Sequence, residues 1–168
     1  MPRAADPEEP ERCADFFGPG PPPATRPRRM STHRTILVVD DIPLMRAMLA
    51  KYIRRLSAKL AAEGGPAPRV EVVEAPNGEV ALEELRARRV DLVFLDLMMP
   101  VMDGLTFLQQ KGENAAIAEI PVIVCSALGD QDVVQNAKAL GASSYLVKPF
   151  TLDSVEKMYR SHFGERDV

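Results

Sequence analysis

Residues 90–96 read VDLVFLD, an apolar run closed by a carboxylate, and this stretch decides the fold. Strands that are buried on both faces have near-continuous apolar sequences, as in parallel sheets covered by helices. A second run of this kind, ILVV at residues 36–39, is followed by Asp40 and Asp41. The repetition predicts two buried strands with acidic residues at their carboxyl ends.

Further apolar strand-like runs, separated by helical patterns, occur along the rest of the chain after residue 34. Further strands are predicted at 70–73, 121–125 and 144–147, and helices at 42–62, from Asn77 onward, and at 104–111, 130–140 and 152–162. The first helix carries apolar residues three and four positions apart, the spacing of a buried helical face: Met45, Met48, Leu49, Tyr52, Ile53, Leu56 and Leu60. Five strands alternating with five helices predict an α/β three-layer sandwich around a parallel sheet.

Composition excludes several classes of protein. The 168 residues are 46% hydrophobic and 27% charged, with a net charge of -3. This is a globular profile, and it argues weakly against nucleic-acid binding. No apolar run reaches the roughly 20 residues of a membrane span, and a signal peptide is missing. Cys13 and Cys125 lie in different contexts, so we expect no disulfide and a cytoplasmic location.

The chain divides into three parts by composition. Residues 1–30 are rich in Pro and Arg and are predicted to be a disordered extension, residues 34–164 form the folded domain, and 165–168 are a C-terminal tail. Phe16 and Phe17 are a candidate docking motif, although a passive tail is favoured. A natural start at Met30 is the alternative origin of the extension.

Polar residues follow the predicted strands where each one ends. They are Asp40 and Asp41, Asp96, Ser126 and Lys148. Because the carboxyl ends of parallel strands share one edge, and ligands of open α/β sheets bind there, these side chains are expected to meet. Each residue alone also has an ordinary structural explanation: Asp41 could cap a helix, and Lys148 before Pro149 could form a turn. Ser126 alone carries almost no information about function.

Together these side chains suit phosphoryl chemistry. Crowded carboxylates repel one another, and a hard cation with oxygen ligands such as Mg²⁺ relieves that repulsion. Lys148 offers a compact positive charge and Ser126 a hydroxyl donor for phosphoryl oxygens. Asp96 ends a central strand and is the best candidate for a nucleophile that forms an aspartyl phosphate.

The motifs ILVVDD at 36–41, LVFLDLMMPVMDG at 92–104 and YLVKPF at 145–150 closely resemble the response regulator receiver family of bacterial two-component signalling. The resemblance covers residues 34–163. It implies a flavodoxin-like (βα)5 fold with the sheet order 2-1-3-4-5.

By position, the resemblance also implies roles for individual residues. Asp96 would be the phosphorylation site, with Lys148 and Ser126 contacting the phosphoryl group. Asp40, Asp41, Asp96 and the backbone carbonyl of Met98 would bind Mg²⁺. Tyr145 would be a switch residue that responds to Ser126, and the Lys148–Pro149 bond would be cis.

The implied function is that of a single-domain response regulator rather than an enzyme with a separate substrate. A histidine kinase or histidine phosphotransfer protein would be the donor. The signal would pass by phosphorylation-dependent binding to a downstream protein or by phosphorelay. Only five residues follow Phe163, so no DNA-binding domain is expected. We also expect no membrane partner, and a protein that is a monomer or weak dimer. A chemotaxis-like regulator is slightly favoured.

The chain departs from the family in the length of one interval. Asp41 and Asp96 lie 55 positions apart, which is longer than usual for the family, and the surplus lies in the first helix and in the loop from Glu63 to Arg69. That helix carries Arg46, Lys51, Arg54, Arg55 and Lys59, which either select an acidic partner or form an ordinary solvated face. A haloacid-dehalogenase-like phosphatase needs an Asp where Met98 stands. A degenerate receiver that works without phosphate would not need to keep Asp41, Asp96, Ser126 and Lys148 together. A flavin carrier of similar topology needs a phosphate-binding loop after the first strand, where the acidic residues 40–43 of this chain would repel a phosphate.

Overall fold

A computed structural model describes residues 33–63, 69–127 and 130–163, which form five strands and five helices in strict alternation. The elements are β1 His33–Val39, α1 Pro43–Ala62, β2 Arg69–Ala75, α2 Gly78–Ala87, β3 Leu92–Asp96, α3 Gly104–Glu113, β4 Val122–Ala127, α4 Gln131–Ala139, β5 Ser144–Lys148 and α5 Leu152–Phe163.

The strands form one parallel sheet with the order β2-β1-β3-β4-β5, as the resemblance implied. Val39 of β1 pairs with Leu95 of β3, and Asp96 pairs with Cys125 of β4. Ala127 of β4 in turn pairs with Lys148 of β5. This register brings the carboxyl ends of four adjacent strands to one edge.

Two apolar layers cover the sheet, because successive strand residues point to opposite faces. One layer joins Leu37, Val93 and Val124 to Phe107 and Leu108 of α3, together with residues of α2 and α4. The other layer packs α1 and α5 against the alternate strand residues. The apolar residues predicted for the buried face of the first helix all belong to this second layer, so that prediction is confirmed.

The sequence predicts Asn77 as a helix cap and places Pro43 in the first turn of a helix, and both predictions are confirmed. The Asn77 side chain accepts a hydrogen bond from the Val80 N–H at 3.0 Å, which caps α2. Pro43 lies in the first turn of α1, where its missing N–H breaks no helical hydrogen bond. Gly64, Gly65 and Pro66, which in the sequence indicate the end of the first helix, lie outside the described residues, as do Phe16, Phe17 and the terminal segments 1–30 and 165–168.

Candidate functional site

Asp40, Asp41 and Asp96 meet at the carboxyl edge of the sheet. One carboxylate oxygen from each lies within 4.8 Å of the others. Asp40 and Asp96 are 5% and 6% exposed, whereas Asp41 is half-buried. Burial raises the pKa of Asp96 above its ordinary value, and the Asp40 charge adds to this, while Lys148 opposes it. The three carboxylates thus form a compact acidic cluster of hard oxygen donors.

Lys148 bridges two of these carboxylates from the end of β5. Its Nζ lies 2.8 Å from Asp40 Oδ2 and 3.3 Å from Asp96 Oδ1. Burial alone would lower the pKa of this amine, but the hydrogen bond to Asp40 and the charges of Asp96 and Asp40 outweigh it, so the pKa is raised. The ammonium is therefore held in its charged form between the two carboxylates.

Backbone donors fix the two buried carboxylates. Asp40 Oδ1 accepts from the Ile42 N–H at 2.9 Å, and Asp96 Oδ1 accepts from the Met98 N–H at 3.3 Å. Main-chain donors to a carboxylate favour its ionised form and limit its rotation. The contact also places Met98 beside the cluster, which is compatible with the ligand role predicted for its carbonyl.

Arg46 is the first of two contributors that the sequence reading missed. It was grouped with the basic residues of the first helix, but its guanidinium points back and donates to the Asp40 carbonyl at 2.6 Å. Its Nε lies 3.5 Å from Glu74 Oε2 on β2, and its side chain is 16% exposed. Arg46 therefore secures the loop that carries Asp40 and Asp41. Its position in the first turn of α1, next to the acidic pair, was the available signal.

The loop between β3 and α3 is held from both sides by glycines. The Gly104 N–H donates to the Leu97 carbonyl at 3.0 Å, and the Gly78 N–H donates to the Met102 carbonyl at 3.1 Å. A Cβ at Gly104 would lie 2.6 Å from the Asp96 carbonyl oxygen, so any side chain there would displace this backbone. These close approaches fix the path of the chain directly after Asp96. Val101 in this loop has a φ of 69°, which is unusual for a β-branched residue.

Ser126 and Tyr145 lie one and two strands from Asp96, respectively. Ser126 is 3% exposed, and its hydroxyl donates to Asp130 Oδ2 at 2.7 Å. The Tyr145 hydroxyl donates to the Ala127 carbonyl at 3.1 Å. Asp130 is the second contributor that the sequence reading missed, since it was taken only as a helix residue.

Two further features concern the surroundings of the site. The peptide bond between Lys148 and Pro149 is cis, as predicted. Large apolar side chains in the segments that directly follow Asp41 and Asp96 are exposed to solvent, with exposed fractions of 49% for Ile42, 75% for Leu44, 72% for Met98 and 78% for Val101. Within the described residues, no helix combines the length and the apolar character that a membrane span requires.

Comparison with known proteins agrees with this geometry. A sequence model of the response regulator receiver domain matches residues 36–160. The chemotaxis protein CheY of Bacillus subtilis is 38% identical over 123 residues, which cover 73% of this chain and 91% of that protein. A probable chemotaxis protein CheY of Rhizobium etli is 31% identical over 129 residues, covering 77% of this chain and 92% of its own. The solved structure of Vibrio cholerae CheY4 superposes with a TM-score of 0.65 at 26% identity, covering 78% of this chain and 99% of that one.

Proposed function

The chain belongs to the response regulator receiver family of two-component signalling, and from that premise we propose that Asp96 accepts a phosphoryl group from a phosphohistidine. The donor would be a histidine kinase or a histidine phosphotransfer protein. The observation that carries the proposal is the Lys148 ammonium held 3.3 Å from Asp96 Oδ1 within a cluster of three carboxylates. A positive charge beside an ionised nucleophile, at a ligand-binding sheet edge, is what phosphoryl transfer to a carboxylate requires.

In the reaction, a carboxylate oxygen of Asp96 forms the new P–O bond. The P–N bond of the donor breaks, and its electron pair leaves on the imidazole. Asp96 ends a central strand and is held by the Met98 N–H, so little reorientation is needed for in-line attack. Lys148 would stabilise negative charge on a phosphoryl oxygen, exchanging its contact with Asp40 for one with the incoming group.

The donor set fits a hard divalent cation. One ammonium faces three carboxylates, so negative charge is left uncompensated within the cluster. We propose that Asp40, Asp41 and Asp96 hold Mg²⁺, with the Met98 carbonyl as a further ligand. When bound, the ion would supply positive charge to the phosphoryl oxygens.

Phosphorylation would be reported through Ser126 and Tyr145. The Ser126 hydroxyl would turn to a phosphoryl oxygen, and the Tyr145 ring would fill the space that this movement leaves. This is a shift between two populations, biased by a local change in charge. The surface formed by α4 and β5 would then bind a downstream protein, or the phosphoryl group would pass on in a relay. In this scheme the protein assists only its own phosphorylation and dephosphorylation.

The exposed apolar residues around the acidic cluster support docking of a protein donor. Ile42, Leu44, Met98 and Val101 follow Asp41 and Asp96 closely in sequence, and their exposed side chains would offer contact area to a partner. Farther along α1, Lys51, Arg54 and Arg55 are exposed and would favour a partner with acidic residues. The predicted cytoplasmic location, single-domain organisation and monomeric or weakly dimeric state stay predictions, as does the choice of pathway.

Intact-mass spectrometry after incubation with acetyl phosphate tests the proposal. The wild type should gain about one phosphoryl group only when Mg²⁺ is present, and Asp96→Asn should gain none. Asp153→Asn is the matched control, because Asp153 is exposed in the first turn of α5 and should behave as the wild type. If neither acetyl phosphate nor a range of phosphohistidine donors labels the wild type, and Mg²⁺ does not bind, the proposal is wrong.

A further inference from the structure

The hydrogen bond between Ser126 and Asp130 occupies the hydroxyl that phosphorylation would need. A serine hydroxyl has a single hydrogen to donate, and here it is given to Asp130 Oδ2 at 2.7 Å. A hydroxyl donating to a carboxylate forms a short, charge-assisted bond that is about twice as strong as a neutral one. While this bond persists, Ser126 cannot donate to a phosphoryl oxygen on Asp96.

Asp130 is also the N-cap residue of α4, but its side chain does not cap that helix. Its backbone has φ −79° and ψ 43°, and no side-chain cap hydrogen bond forms. Two other helices provide an internal comparison. Asn77 and Asp103 have ψ of 175° and 171°, and each accepts from the N–H three residues ahead. Asp130 therefore belongs to a residue type that favours capping, yet its carboxylate is bound to Ser126 instead.

We propose that Asp130 is a positioning residue for the phosphoacceptor reaction, and that it acts through Ser126. In the unphosphorylated protein it holds the Ser126 hydroxyl away from Asp96. On phosphorylation it releases the hydroxyl and caps α4 by accepting from the Val133 N–H, the position equivalent to the donors at the other two caps. The inference rests on the proposed function of Asp96.

Charge drives this exchange in one direction. A phosphoryl group on Asp96 adds negative charge and strong acceptor oxygens close to Ser126. The hydroxyl then has a better acceptor, and the Asp130 carboxylate is repelled from the place it occupied. The first N–H groups of a helix such as α4 have no acceptor within the helix, and its N-terminus is the positive end of the helix dipole, so both stabilise a carboxylate there. Asp130 thereby links the phosphoryl group to the start of α4 by exchanging one hydrogen bond for another.

The affinity of the full chain for beryllofluoride, a tetrahedral mimic of a carboxyl-bound phosphoryl group, tests the inference at saturating Mg²⁺. Asp130→Asn keeps the capping ability but makes only a neutral hydrogen bond to Ser126. It should bind beryllofluoride about tenfold more tightly than the wild type. In a Ser126→Ala background the same substitution should change the affinity less than about twofold, because no hydroxyl remains to be released.

Amide hydrogen exchange at Val133 gives a second measurement that needs no Ser126 variant. Beryllofluoride should protect this amide in the wild type and in Asp130→Asn, but not in Asp130→Ala, which cannot cap. Equal beryllofluoride affinities for wild type and Asp130→Asn, or an equal effect of Asp130→Asn with and without Ser126, would overturn the inference while leaving the proposed function intact. Unchanged Val133 exchange in the beryllofluoride-bound wild type overturns the capping step. A wild type that binds no beryllofluoride overturns the proposed function, and the inference with it.

Discussion

The Lys148 ammonium lies 2.8 Å from Asp40 Oδ2, and this contact joins the ends of β5 and β1, which are separated in the sheet by two other strands. It spans 108 residues of sequence, and the same ammonium lies 3.3 Å from Asp96 Oδ1 at the end of β3. The ammonium therefore links the two ends of the sheet edge and also places a positive charge beside the proposed nucleophile. Its removal should affect cation binding and phosphorylation in opposite directions.

Lys148→Met is expected to bind Mg²⁺ about tenfold more tightly, because a positive charge is removed from beside the three carboxylates. It should be phosphorylated by acetyl phosphate about 100-fold more slowly, since the phosphoryl oxygens lose a charged donor. Calorimetric titration and intact-mass kinetics measure the two effects. Lys157→Met, on the exposed face of α5, should change neither. Weaker Mg²⁺ binding by Lys148→Met would contradict this account of the cluster.

Gly104 and Gly112 lie on the same helix and provide a matched pair of substitutions. A Cβ at Gly104 would meet the Asp96 carbonyl oxygen at 2.6 Å and the Leu97 Cα at 2.8 Å, whereas at Gly112 nothing lies within 4 Å. Gly104→Ala should cost about 1–3 kcal/mol of stability and lower the yield of phosphorylation, because backbone beside the nucleophile must move. Gly112→Ala should stabilise by about 0.5 kcal/mol. Urea denaturation distinguishes them, and equal effects would show that the close approach is not there.

Lys111 should give the protein a stability that rises with pH in alkaline solution. The side chain is 4% exposed and donates to the Ala118 carbonyl at 2.6 Å. Burial lowers its pKa from 10.5 to about 8. Between these values the unfolded chain binds more protons than the folded one, so this group makes unfolding harder as pH rises from about 8 to 10.5. Urea unfolding at pH 7, 9 and 10 should show that the free energy of unfolding of the wild type increases with pH relative to that of Lys111→Met. A constant difference would mean that Lys111 does not titrate in this way.

Val101 is a candidate for stabilisation by glycine. Its φ of 69° lies in the left-handed region that β-branched residues avoid, and its side chain is 78% exposed, so little packing is lost on truncation. Val101→Gly should stabilise the fold by about 1 kcal/mol, which raises Tm by about 2–4 °C. Val101→Ala keeps a Cβ at the same φ and should change Tm much less. Calorimetry measures the Tm of both variants. Equal changes in Tm would mean that loss of the valine side chain, and not relief of the backbone conformation, causes the stabilisation.

The sequence predicted the sheet and the acidic cluster because both depend on short-range patterns. Apolar runs closed by Asp40, Asp96 and Lys148 place charges at strand ends, and a parallel sheet then brings those ends to one edge. The bond between Ser126 and Asp130 could not be predicted in the same way. An aspartate at a helix start normally caps that helix, and its backbone and side-chain torsions, which the sequence does not specify, decide whether it turns to a neighbouring strand instead.

The contacts of two basic residues, one buried and one half-buried, escaped prediction for a related reason. Arg46 and Lys111 sit on helices with other charged residues, and their sequence positions resemble those of solvated side chains. Long aliphatic stems allow such residues to reach backbone carbonyls that become available only after the elements have packed. Arg46 reaches the Asp40 carbonyl, and Lys111 reaches that of Ala118. The hydrophobic pattern carries no information about these carbonyls, because they are set by tertiary packing.

The exposed cations of α1 should act on protein donors and not on small ones. Lys51 and Arg55 are exposed one helical turn apart, whereas Lys59 on the same helix is engaged by Glu156 of α5 at 3.0 Å. Reversing both charges with Lys51→Glu and Arg55→Glu should lower kcat/KM for transfer from a phosphohistidine protein about tenfold or more at low salt, because charge complementarity governs encounter. Phosphorylation by acetyl phosphate should be unchanged, which shows that Asp96 is intact. Lys157→Glu alters the net charge on another helix and should leave both rates unchanged. Equal loss with both donors would place the effect in the acidic cluster, and no loss with either would make this helix face an ordinary solvated surface.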